Sequence, residues 1–137
     1  MSIVMLGAWV VQVAVGAWLF AGWVRHAHGA GRLAVSVHVV LMLAAFASWT
    51  TFAISGGLAW AWCAVGILTA GIGFGDYMMV RRYRHLEGSS RPGLGDYGPA
   101  IGAVFTGRLP VRVAFHAVFS AVVYFGSLGV AIAASVA

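Results

Sequence analysis

Long apolar runs alternate along this chain with connections that hold nearly all of its charge. The runs cover about residues 3–24, 33–54, 58–80 and 111–136. Each is long enough for a helix of ~20 residues to cross a hydrocarbon core of ~30 Å. Polar positions within them are too sparse to form the solvated face that a soluble amphipathic helix needs. The pattern predicts an all-α, polytopic membrane protein, a single domain over 1–137 built as a four-helix up-down bundle. Ser55-Gly56-Gly57 makes a tight turn between the second and third runs. The connection from Arg81 to Leu109 is long, and between Gly88 and Gly98 it is dense in Gly, Ser and Pro, which predicts irregular loop. Within it YGPAIGAVF is apolar but too short to span, so it is expected to lie in the interface or tuck under the bundle.

Charge adds an orientation. The net charge of +5 comes from eight arginines against three acids, and there is no lysine. All the arginines lie in or beside the connections at 25–32 and 81–109, while the Ser55 turn and both chain ends have none. Cytoplasmic loops carry such an excess of basic residues. Both basic connections are therefore expected in the cytoplasm, with both termini outside, in what reads as a prokaryotic cell membrane. Arginines clustered beside apolar runs set topology rather than bind nucleic acid, so no nucleic-acid partner is expected. With 62% hydrophobic and 8% charged residues, the solvating partner is a lipid bilayer. The first run lacks a basic leader and a small-residue cleavage site at the usual distance, so it is expected to be a retained span. The lone Cys63 excludes an intrachain disulfide, and C-x-x-C-H attachment of haem has no sequence basis.

Ligand-capable side chains at membrane depth are costly and point to function. His38 lies six residues inside Arg32, about 9 Å by helical rise, and His116 four residues inside Arg112, about 6 Å. Asp76 precedes Arg81 by five residues, about 7–8 Å. All three therefore sit near one level on the arginine-rich side. His116, Ser120, Tyr124 and Ser127 follow a helical stripe, and so do His38, Met42, Ala45 and Trp49. Polar stripes should face a bundle interior, and if both histidine faces point inward the imidazoles can stand on opposite sides of one central ligand. Gln12, on one face with Trp9 and Gly16, is expected to find a partner on another helix. Gly71 and Gly75 form a G-x-x-x-G that allows close approach of a helix or a flat ligand.

The motifs RLAVSVH, ending at His38, and VRVAFH, ending at His116, in a four-span layout resemble the small four-helix membrane cytochromes b of the cytochrome b561-like or copper-resistance-D-like kind. The resemblance implies haem b with His38 and His116 as axial ligands of the iron. It implies Arg32, Arg81, Arg82 and Arg112 beside the propionates, and room for the porphyrin at Gly71 and Gly75. It further implies an electron-transfer protein or the membrane anchor of a redox complex, working with quinone or a partner subunit, in a complex or homo-oligomer. Such proteins often hold two haems on four histidines; here a single embedded pair supports one.

Other readings stay open. A non-catalytic membrane subunit of a larger complex would use the same glycines and histidines for packing. A metal site or a proton or solute path would add Asp76 to the histidines, with Tyr124, Ser120 and Gln12 as polar neighbours. His26-x-His28, in a loop without a third ligand, makes a poor metal site. The G-x-G-x-x-G at Gly93–Gly98 has no preceding strand and fails as a dinucleotide fingerprint. No nucleophile–base set or phosphate loop is present, so hydrolase and transferase chemistry is not expected.

Overall fold

The computed structural model describes residues 1–27, 29, 31–88 and 93–136, with the side chain of Leu94 left aside. Its elements are α1 (Ser2–His26), α2 (Arg32–Ser55), α3 (Leu58–Leu86), a 3₁₀ turn at Leu94–Asp96, α4 (Tyr97–Phe105) and α5 (Val111–Ser135). The fold is all-α, and α1, α2, α3 and α5 are each long and apolar enough to cross a membrane. That makes the chain an integral membrane protein in build.

The second span ends on a glycine turn. At the end of α2, Gly56 takes the left-handed conformation (φ 70°), and its N–H closes the helix on the Phe52 carbonyl at 2.8 Å. Glycine adopts that conformation without the Cβ clash other residues meet. The third helix continues six residues beyond the expected limit at Val80, to Leu86. Arg84 and His85 in its last turn complement the negative end of the helix dipole. Arg84 also pairs with Asp96 at 3.3 Å, which ties that extra length to the 3₁₀ turn.

Neighbouring helices in the bundle are α1 with α2, α2 with α3, α3 with α5, and α5 with α1. α2 and α5 therefore stand on one diagonal, α1 and α3 on the other. One apolar core fills the half remote from the arginines, around Trp9, Trp49, Phe52, Val65, Leu68 and Val123. Trp9 donates its indole N–H to Ser127 Oγ at 3.0 Å, with both residues fully buried. Outward residues such as Val4, Leu33, Val40, Ile54, Phe125 and Ile132 are exposed, as lipid-facing positions should be.

The short helix α4 is the YGPAIGAVF segment, and it tucks under the bundle. Ala100, Ala103 and Val104 turn inward. Ala103, Val104 and Leu109 form a second small core with Met79, Tyr83, Val113, Ala114 and Ala117. Ile101 and Phe105 remain exposed. The main core thus lies on one side of the His38 and His116 level, and this small core, on the α3 and α5 side, on the other.

Candidate functional site

The inward stripe of α2 is real: Ala45 and Trp49 are fully buried, and Met42 packs on the core. His38, one turn before Met42, is turned to the same interior. On α5, Val123 and Ser127 are fully buried, which turns His116 inward as well. Across the α2–α5 diagonal the two imidazoles meet, with ring centroids 6.3 Å apart and planes at 75°.

The two rings are held differently. His38 donates its Nδ1–H to the Gly71 carbonyl at 2.8 Å. A carbonyl only accepts, so this bond fixes the tautomer and leaves Nε2 with its lone pair. His116 is anchored through its backbone, whose carbonyl accepts from Gln12 Nε2 at 3.1 Å. Its Nδ1 is buried without a partner, and so is Gln12 Oε1.

Glycines flank both rings. A Cβ at Gly75 would stand 3.1 Å from His38 Cε1, and one at Gly16 would stand 3.3 Å from His116 Cε1. The Gly71 face is already filled: a Cβ there would overlap the Met42 methyl and stand 3.3 Å from Leu41 Cβ. Gly71 therefore serves close packing of α2 on α3 and offers its carbonyl to His38. Two surface clefts flank this level on the outside of adjacent helix pairs. One of about 610 Å³ involves Val15, Trp18, Arg112 and Phe115, and one of about 640 Å³ involves Arg32, Ala34, Gly73 and Tyr77.

Asp76 lies within electrostatic reach of His38 and takes its hydrogen bond from another element. Its Oδ2 accepts from the Tyr97 phenol at 2.8 Å, joining α3 to the start of α4. That hydrogen bond, then burial, then the carboxylate charge hold the Tyr97 phenol above its ordinary value of 10.0. Among the described residues no group of three or more His, Cys, Asp or Glu is gathered that could hold a metal ion. The rest of the polar stripe on α5 serves structure. Ser120 Oγ returns its proton to the Ala117 carbonyl at 2.6 Å, and Tyr124 OH lies 3.4 Å from Thr69 Oγ1. His26 donates Nδ1–H to the Gly22 carbonyl at 2.9 Å, while His28 lies outside the described residues.

The arginines gather at the end of the bundle nearest the histidines. Arg112 lies over the Trp18 ring at 5.8 Å. The Arg81 guanidinium packs against Gly31, where a Cβ would collide with it. Arg32 and Arg82 are exposed, and Arg108 pairs with Glu87. Gly16 and Tyr97 were not among the residues expected at the site. Gly16 had a signal in its helical spacing from Gln12, whereas Tyr97 reaches Asp76 only because α4 folds back under α3.

Compared with protein-family models, with curated proteins and with solved structures, the chain finds no match.

Proposed function

We propose that the protein holds one haem b between His38 and His116 and serves in membrane electron transfer, alone or as the membrane anchor of a redox complex. The observation that carries this reading is the facing pair on the bundle diagonal, with ring centroids 6.3 Å apart. At that separation the two rings could both serve as ligands to one iron held between them. The donor chemistry also fits, because His38 keeps Nε2 unprotonated by giving its Nδ1–H to Gly71. Gly16 and Gly75 supply side-chain-free surface next to the two rings. Arg32, Arg81, Arg82 and Arg112 are the cations that would neutralise propionates at the same end.

A haem held by His38 and His116 would supply one-electron transfer rather than oxygen chemistry. The chain's part is to present two neutral imidazoles, to keep water out with an apolar layer on either side, and to offset acidic groups with guanidinium. The arginine-rich connections at 25–32 and 81–109 favour a cytoplasmic placement, with both termini outside a prokaryotic cell membrane. A centre at this depth leaves about 20 Å of a ~30 Å core uncrossed, so quinone or a partner subunit on the same side is the fitting electron exchanger.

One observation favours the alternative of a non-catalytic membrane subunit. Met42 fills the space over Gly71, so α2 and α3 close on each other there with no ligand between them. Electron paramagnetic resonance of the oxidised protein, produced with haem supplied, separates the readings. A haem held by both histidines should give a low-spin ferric signal. A well-folded protein with no low-spin ferric signal would leave the non-catalytic reading.

A further inference from the structure

His38 and His116 occupy corresponding places on two helix pairs. α1 and α3 run in one direction, α2 and α5 in the other. On α3, Gly75 lies against His38 Cε1, and Gly71, one turn earlier, accepts the His38 Nδ1–H at 2.8 Å. On α1, Gly16 lies against His116 Cε1, and the residue one turn earlier is Gln12. The same i, i+4 arrangement therefore addresses each ring: glycine against the Cε1 edge, a hydrogen-bond acceptor one turn before it.

The acceptor on α1 is a side chain rather than a backbone carbonyl. Gln12 is 8% exposed and already holds His116 through its amide N–H on the backbone carbonyl. Its Oε1 is a buried acceptor without a donor, and His116 Nδ1 is a buried ring nitrogen without a partner. Buried polar groups left unpaired are costly, and these two are complementary when Nδ1 carries the proton. The nearby Ser120 hydroxyl gives its proton to the Ala117 carbonyl and so is no donor to Gln12 Oε1.

From this geometry we infer that Gln12 is the positioning residue for His116: its Oε1 takes the His116 Nδ1–H, directly or across one ordered water, and reserves Nε2 as the ligand nitrogen. The inference deepens the haem reading and rests on it for its purpose, but the tautomer itself needs no haem. A ring whose Nδ1–H is fixed by an outer partner presents a more basic Nε2 and a set orientation. Gln12 on α1 then does for His116 what the Gly71 carbonyl does for His38.

The test is nitrogen-15 NMR of the imidazoles in haem-free protein in detergent, with resonances assigned through His38→Asn and His116→Asn. Wild-type His116 should show one tautomer, protonated at Nδ1. Gln12→Leu should lose that single pattern for a mixture, while Gln12→Glu, which keeps an acceptor, should retain it. His38 should stay protonated at Nδ1 in every Gln12 variant, which certifies the fold; Gln12→Met replaces Gln12→Leu if the latter does not pass. A wild-type His116 protonated at Nε2, or a tautomer unchanged in the apolar variants, would overturn the assignment. A protein that never binds haem would leave this result standing, and loss of tautomer control would leave the haem reading standing.

Discussion

Gly75 lies against the His38 imidazole, close enough that a Cβ would stand 3.1 Å from Cε1 and 3.4 Å from Nδ1. The ring cannot retreat freely, because its Nδ1–H is bound to Gly71 at 2.8 Å. Gly75→Ala should therefore turn the ring and stretch that bond. The expected outcome is weaker haem retention, about tenfold or more in apparent affinity, as for mutation of an outer partner of a metal ligand. Haem titration into the apoprotein measures it. Gly73→Ala, whose Cβ meets nothing within 4 Å, should leave affinity unchanged.

Gly71 should instead respond as a packing residue. A Cβ at Gly71 meets the flexible end of Met42, but a branched side chain would also press on Leu41. Gly71→Val is expected to destabilise the bundle by about 1–3 kcal/mol, the usual cost of overpacking. Denaturant unfolding in micelles reads this cost, and combining it with Met42→Ala should recover part of the loss.

Ser127→Ala removes the acceptor of the Trp9 indole. Trp9 is 1% and Ser127 0% exposed, so no water or lipid headgroup can substitute. Hydrogen bonds between membrane helices are worth about 0.6–2 kcal/mol, and an orphaned buried donor raises the cost. A loss of about 1–2 kcal/mol in the same unfolding assay is expected. The haem spectrum should not change, since this contact belongs to the remote core.

The Tyr97–Asp76 contact gives α4 a pH dependence. The folded phenol is held above its ordinary 10.0, so its stabilisation is complete below that value and is lost as pH rises through the shifted one. Limited proteolysis of the 81–109 connection should show protection at neutral pH and a loss of it in strong alkali. Tyr97→Phe should be cut faster at neutral pH and show a smaller alkaline step.

Much of the architecture was legible in the chain. Lipid demands ~20-residue apolar runs, so the spans followed from length and hydropathy, as did the failure of YGPAIGAVF to span; that this segment is helical did not. The helical stripes of α2 and α5 correctly turned Trp49 and Ser127, and the histidines with them, to the interior. What escaped the sequence depends on tertiary placement. Asp76 sits at the expected level, yet its partner Tyr97 is reached through a loop with no periodic signal. Spacing at Gly71 allowed either a helix or a flat ligand to approach, because it reports a face and not what fills it; Met42 and Leu41 of α2 fill it. The six extra residues of α3 carry Arg84 to Asp96, a contact that a hydropathy boundary at Val80 does not register.

The haem content of the purified protein tests the central claim most directly. Wild-type chain, His38→Ala, His116→Ala and the control Ser120→Ala would each be produced with haem supplied, and haem b per chain measured with the reduced absorption spectrum. The account predicts about one haem per folded wild-type and Ser120→Ala chain, and loss of the Soret band in both histidine variants, because the proposed site would take both iron ligands from His38 and His116. A folded, colourless wild-type protein, or a spectrum unchanged in either histidine variant, would contradict it.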